Sequence, residues 1–319
     1  EDNTTGGENT AVGYKSLYEC TGGNYNTAVG LYTLKDCTTG SNNSAFGLRS
    51  LENLTTGENN CGYGRHTLQA LTTGDQNVAV GNRAGYSQTT ANANTWVGDH
   101  AGYTTSTGED NTGVGKYSLH LNTTGDKNVA VGKDALLANT TGSQNSGLGY
   151  NALVAATTGS DNTAVGKDSG SACTTGDNNL FLGHGAGTSS SPATITDGDN
   201  RIVLGNNSIT NSYIKVDWTV TSDERDKTDI QNVSRGLDFV NQLKPKSFWF
   251  RKERGSDVKH GTKRLGFLAQ DILALEGDDP VIIDNEDEDN LKYKGEHLVP
   301  VLVNAIKELS AKVTALEGA

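Results

Sequence analysis

Large apolar side chains recur every seventeen residues through the first part of this chain. From Val12 to Leu182, a Val, Phe, Tyr or Leu stands immediately before a glycine, and those glycines run from Gly13 to Gly183 in the same step. Two residues before each apolar anchor lies Thr, Ser, Cys, Val or Leu. Between the two sits Ala or Gly, with Trp96 and Phe181 as the exceptions. A period of two argues a short strand, here with the flanking pair facing inward. The small middle residue would then mark a shallow outer face or the close approach of another chain. Four residues after the glycine, Leu fills seven repeats and Gly four, which predicts a second, shorter inward segment.

Polar positions keep the same step. A Thr-Thr-Gly corner turns the chain, since glycine takes positive φ at no cost. Asn recurs from Asn9 to Asn179 beside that corner, where it can bond backbone and stack on the Asn above and below. Each turn is expected to hold two short strands and two corners. Eleven turns at about 4.8 Å each would span roughly 50 Å. One anchor and one leucine per turn make a thin core, marginal for a single chain, so three chains are expected to wind together or pack side by side. The expected fold class is mainly β: a trimeric β-solenoid or β-roll of 17-residue repeats over 1–188. An irregular turn and β neck (189–221) follows, then a small α+β domain (222–319) ending in a coiled-coil-like helix.

The phase breaks after Gly187. Ser189–Gly198 is predicted as a loop, after which Asp199–Gly205 (DNRIVLG) echoes Asp177–Gly183 (DNNLFLG) with five residues inserted. Asn206–Ser222 alternates apolar and polar as a strand or neck would. Near the end, Val299, Leu302, Ile306, Leu309, Val313 and Leu316 alternate three and four apart, with Pro300 in the first turn. This predicts a coiled-coil seam; the alternative is an amphipathic helix packed on its own domain.

Composition narrows the classes. Only 34% of residues are hydrophobic, a level often seen in disordered chains, but the strict period argues a stacked solenoid instead. Before Ser222 there are 11 Lys/Arg against 19 Asp/Glu, and from Ser222 onward 15 against 19, within a net charge of −12. Neither part is a basic nucleic-acid footprint. There is no apolar run near 18 residues, so no membrane insertion is expected. Cys20, Cys37, Cys61 and Cys173 lack metal spacing and read as free thiols, Cys20–Cys37 being the one alternative disulfide. Gly277–Pro280 and Asp284–Asn290 read as solvated acidic loops, Trp96, Trp218 and Trp249 as core or interface filling, and Arg251–Arg264 as an extended basic arm. No metal or cofactor is expected. The chain has no methionine and opens inside a repeat, so an upstream part is expected.

The repeat ends at Val220–Lys227, written VTSDERDK, where five of eight side chains are charged. A serine hydroxyl five residues before a lysine suits nucleophile and base. Lysine serves as a base only when neutral, a state that burial favours. The competing view is a solvated turn with an N-cap serine. The 17-residue unit, with its NTAVG-type strand, resembles the head repeats of trimeric autotransporter adhesins and of phage tail fibres, which implies a homotrimer. SDERDKTDI (Ser222–Ile230), LDFVNQLKPKSFWFR (Leu237–Arg251), LGFLAQDI (Leu265–Ile272) and NLKYKGEHLVPVLVNAIKELSAKVTALE (Asn290–Glu317) resemble the C-terminal intramolecular chaperone domain of phage tailspikes and tail fibres.

That second resemblance implies a domain that trimerises, guides folding of the fibre before it, and releases itself by a Ser–Lys dyad. It carries the nucleophile to Ser222, the base to Lys227 and motif support to Asp223, Glu224 and Arg225, with the cut at Ser222–Asp223. It also implies a virion location, synthesis in host cytoplasm, and a host-surface glycan or protein as receptor. Such an enzyme turns over once, on itself, and has no external substrate. A serine attacking its own carbonyl would close a four-membered ring. Attack on the Thr221 carbonyl, attack across chains, and activation of a water are the other routes. A bacterial trimeric adhesin head is the alternative function. An ice-binding face is disfavoured because the Thr pairs adjoin a glycine corner. A glycan hydrolase is disfavoured because no carboxylate pair recurs in the repeats.

Overall fold

A computed structural model describes residues 3–215, 219–252 and 254–318. The chain divides into two compact units, Glu1–Asn207 and Ser208–Ala319.

The first unit is a solenoid with one three-residue strand per turn, from β1 (Thr10–Val12) to β11 (Leu180–Leu182) at constant 17-residue spacing, and then β12 (Ile202–Leu204). All twelve pair in parallel in sequence order. Register is one to one, Thr10 against Thr27 and Val12 against Val29. The last pairing sets Leu180 against Ile202, which places the five inserted residues in a loop outside the ladder. That loop folds back so that Ile195 closes the end of the core, and its backbone N–H donates to the Gly187 carbonyl at 3.0 Å.

The strands face the opposite way from the pattern's prediction. The middle residue of each rung points inward: Ala28, Ala45, Ala79, Trp96 and Phe181 are fully buried. The flanking anchors point out, Val12 being 56% exposed. The reason is spatial. The leucine four residues past each column glycine crosses from the opposite arm, and Leu34, Leu51, Leu68 and Leu119 are fully buried. They fill the interior, which leaves room only for Ala or Gly on the strand.

The exceptions obey the same rule. A Cβ added at Gly85 would meet Trp96 Cδ1 at 2.7 Å, and one at Gly102 would run into the same indole. Phe181 is likewise bracketed by Gly170, whose added Cβ would meet its ring at 2.7 Å, and by Gly187. Where the strand supplies the bulk, the opposite arm gives it up. The indole Nε1–H of Trp96 donates to Gln88 Oε1 at 2.9 Å, as a buried indole requires.

The second arm is no strand. Lys15 and Leu17 have φ of 52° and 50°, and the equivalent non-glycine residues of later turns repeat this left-handed conformation. Each such residue costs about 1–2 kcal/mol. Bonds between turns hold them in place, Leu17 N–H to Thr33 O at 3.1 Å and Glu19 N–H to Lys35 O at 3.0 Å. Changing the sign of φ within a few residues curls the arm tightly enough to close a 17-residue coil. Gly30 sits at φ +141°, and a Cβ there would come within 2.5 Å of the Gly47 carbonyl of the next turn.

The asparagine ladder is fully connected and joins neighbouring turns. Asn43 Oδ1 accepts from Asn60 N–H at 2.9 Å. Its Nδ2 donates to the Gly57 carbonyl at 2.9 Å, while its own N–H donates to Asn26 Oδ1 at 3.0 Å. Buried polar groups paired this way stabilise the stack. Core and ladder are thus complete within one chain. The expected shared axial core is not needed by the repeat interior, so a thin core is no reason by itself for partner chains.

In the second unit, α1 (Leu237–Gln242), β13 (Lys246–Arg251), β14 (Lys259–Gly266), α2 (Ala269–Glu276), β15 (Ile283–Asp284), β16 (Lys292–Tyr293) and α3 (Leu298–Glu317) follow in order. β13 and β14 form an antiparallel hairpin, as do β15 and β16. The basic arm is therefore partly this hairpin, with Lys259 Nζ 4.4 Å from the Trp249 ring centre. Phe239, Ile272, Ile282, Ile283, Leu298 and Val301 form the core. The neck predicted over Asn206–Ser222 carries no strand among its described residues. Val216–Trp218, and with them the role expected of Trp218, lie outside the described residues. The four cysteines are free thiols.

Candidate functional site

The Ser222–Lys227 stretch forms a single tight turn. Glu224–Asp226 make one turn of 3-10 helix, with Asp223 as its N-cap. The Asp223 carboxylate accepts the Arg225 backbone N–H at 2.9 Å. It also takes a two-pronged grip from the Arg225 guanidinium, Nε at 3.0 Å and Nη2 at 2.7 Å. That fork matches a carboxylate's geometry. Arg225's side chain, then its backbone N–H, hold the Asp223 carboxyl below the usual carboxylate range. The turn closes with Lys227 N–H donating to Glu224 O at 3.1 Å.

This reversal carries Lys227 back over Ser222. Its Nζ donates to Ser222 Oγ at 2.8 Å and to the Ser222 carbonyl oxygen at 3.0 Å. The residues predicted as nucleophile and base are therefore in direct contact. Asp223 and Arg225 form the clamp that shapes the turn between them, to which Glu224 contributes its backbone carbonyl. The same amine touches the carbonyl of the Ser222–Asp223 peptide bond. All six residues of the turn are exposed. A lysine accepts a serine's proton only as the neutral amine.

Sequence reading passed over a second polar cluster. Glu276, at the end of α2, is buried, and its carboxylate accepts the backbone N–H groups of Val281, Ile282 and Ile283, each at 2.9 Å. Arg235 Nη1 lies 3.4 Å from it, and the same guanidinium stands 5.6 Å from the Phe239 ring centre. Arg235 also borders a groove of about 620 Å³ with Val233, Ile282, His297 and Pro300; Ser222 and Lys227 do not line it. Nothing in the sequence marked Glu276, because its partners are backbone groups of a loop five to seven residues on.

On α3, Leu298, Val301 and Ala305 are buried in the unit's core, whereas the predicted seam is exposed along its whole length, from Val299 to Leu316 at 79%. Glu308 reaches from α3 to accept the Leu237 N–H at 2.9 Å. Among the described residues, no helix is long and apolar enough to cross a membrane.

No curated protein and no solved structure matches the chain. Part of it does match a family model, and the matched residues begin at Ser222 and end at Asp279. The Asn290–Glu317 block of the resemblance lies beyond that match. That model is the one described as chaperone of endosialidase, and the segment it matches follows the 17-residue solenoid, an arrangement that fits a tail fibre ending in a chaperone domain.

Proposed function

We propose that the chain is part of a phage tail fibre whose C-terminal unit draws three copies together, guides folding of the solenoid, and then cuts itself off once. Ser222 is the nucleophile, Lys227 the base, and Asp223 and Arg225 the positioning pair. The observation that carries this is the 2.8 Å contact between Lys227 Nζ and Ser222 Oγ at the first residue of the matched family segment. The Lys227 contact to the Ser222 carbonyl favours a cut at Ser222–Asp223, with Ser222 of a neighbouring copy attacking, since its own hydroxyl would close a four-membered ring. The Ser222–Asp223 bond breaks as the ester forms, and the Asp223 amine leaves with the proton held by lysine. Water then hydrolyses the ester.

Assembly gates the cut. In a lone chain the dyad is exposed, and a serine needs a neutral amine as its base. Packing of copies over the turn would remove water and favour the neutral amine. The exposed seam of α3 supplies the means of association, because six apolar side chains at heptad spacing are open to solvent. In the virion the released fibre would meet a host-surface glycan or protein. As an adhesin head, the alternative, the solenoid would need no cut at all.

Denaturing electrophoresis with mass spectrometry tests this. The unmodified chain should yield two pieces parted beside Ser222, whose masses identify the bond. Ser222→Ala and Lys227→Ala should each leave the intact 33.6 kDa chain. Cutting that persists at the junction in Ser222→Ala would remove the dyad from the account.

A further inference from the structure

Two half-buried columns on the solenoid's second arm vary from turn to turn, and in its middle turns they fill with rings. The position two residues after the column glycine holds His66, Arg83, His100 and Tyr117, and the position five after holds Tyr86, Tyr103 and His120. In other turns these columns carry Lys15, Arg49 and Asp134, or Lys35, Gln69 and Ser171, so the coil itself calls for no ring there. Tyr86, Tyr103 and His120 stack turn over turn, successive centres 5.2 Å apart. Tyr117 stands at 70° to His120, its centre 5.0 Å away. His100, Tyr103, Tyr117 and His120, with Leu137, line a hollow of about 360 Å³. Two charged groups adjoin the lining rings. Asp99 Oδ1 lies 2.9 Å from His100 Nδ1 and accepts from Asn82 Nδ2 at 2.9 Å. Lys116 Nζ stands 4.7 Å from the Tyr117 ring centre and 3.6 Å from Asp99 Oδ2.

The geometry points to this hollow as a saccharide-binding site. Rings that carry O–H and N–H groups at their margins suit a ligand with an apolar face and hydroxyls round its edge, which describes a pyranose. Asp99 adds an acceptor for such hydroxyls and Lys116 adds donors. Other ligands fit less well. A quaternary ammonium is held between rings standing apart around it. Here the lining rings pack on one another, with neighbouring centres 5.0 to 6.0 Å apart, and leave no such interior. A phosphate calls for unpaired positive charge, whereas Lys116 is paired with Asp99 and 19 Asp/Glu outnumber 11 Lys/Arg before Ser222. A protein partner covers about 800 Å² in a standard interface, far more than one hollow of this size offers. The inference names the site and the chemistry that the proposed contact with a host surface leaves open. It rests on that reading for the source of the sugar alone, and needs neither the association of copies nor the cut.

The full chain is tested on a printed array of defined neutral and acidic oligosaccharides, and the strongest binder is then titrated by calorimetry. A Tyr103→Gln, His120→Gln variant gives both positions the residue that Gln69 already supplies in the same column, so its thermal unfolding should match the parent's. Its affinity for that sugar should fall roughly tenfold or more. Tyr150→Lys, which repeats Lys133 and Lys167 of its own column and lies outside the hollow, should bind as the parent does. A parent chain that binds no sugar on the array overturns the inference. So does binding that survives in the double variant, or that is lost equally in Tyr150→Lys. The cut at Ser222–Asp223, read on the same preparations, keeps the two readings apart. A chain that cuts itself but binds no sugar overturns this inference alone, whereas an uncut chain that binds one through Tyr103 and His120 leaves it standing.

Discussion

Trp96 shows how a single residue's size is settled by residues on the opposite arm of the coil. Its indole occupies space that Leu68 and Leu119 fill in other turns, and it can do so because positions 85 and 102 are glycine. Trp96→Ala alone should cost about 3–5 kcal/mol through the cavity it leaves. Gly102→Leu alone should also destabilise, by overpacking. Trp96→Ala combined with Gly85→Leu and Gly102→Leu rebuilds the pattern of the neighbouring turns and should recover most of the loss. Urea unfolding of the four chains measures this coupling; strict additivity would refute the size exchange. The buried thiols make a second residue-scale prediction. Burial first, with neighbouring Cys20 adding to it, pushes Cys37 up to about 12, and burial pushes Cys173 up to about 11. The unfolded chain ionises both near 8.5. Their contribution is therefore intact below that pH and lost as pH rises toward 11–12. Stability should fall over that window, and Cys37→Ala should flatten part of the fall in unfolding curves taken across it.

At the scale of elements, the short loop after α2 depends on one carboxylate. Glu276 satisfies three backbone donors and faces Arg235. Glu276→Ala would strand those donors and the arginine, at a cost of about 3–5 kcal/mol, whereas Glu276→Gln keeps one acceptor and should cost less. Thermal unfolding of the two variants separates these outcomes. The seam of α3 behaves differently, since its side chains are exposed. Ile306→Glu with Leu309→Glu should leave the monomer's stability within about 0.5 kcal/mol and shift sedimentation toward the single chain. A large loss of monomer stability would mean that the seam packs on its own unit instead.

On the scale of the whole molecule, two units each hold a complete core, one built on the leucine and alanine columns and the other on Phe239, Ile272 and Leu298. Calorimetry should therefore resolve two transitions. Trp96→Ala should lower one and Glu276→Ala the other. A single transition moved by both variants would show that the units unfold as one. Within the solenoid, contacts join neighbouring turns, so its stability should behave as a sum of turns and interfaces between them.

A constant period without insertion aligns like with like, so the parallel register and the asparagine ladder were readable from the chain before any coordinate. The corner departs from the expectation: positive φ falls not on the Thr-Thr-Gly glycine but two residues later, on Asn42 and its equivalents, and the glycine is needed because a Cβ at Gly40 would meet the Gly57 carbonyl at 2.5 Å. The Ser222–Lys227 motif and the heptad spacing of the apolar residues on α3 were visible in the sequence as patterns. The facing of the strands was not. A three-residue strand offers two bulky ends and one small centre, and local pattern favours the ends as its core. What points inward depends on the space left by the opposite arm, which only the closed coil reveals. The one hint was the coincidence of Trp96 and Phe181 with glycines in the leucine column. Tertiary structure alone also decided that the second arm curls through left-handed residues and that Glu276 meets three amides, because both follow from groups brought together by chain reversal. Period settles which residues are neighbours along the stack, and the closed volume settles which of them are inside.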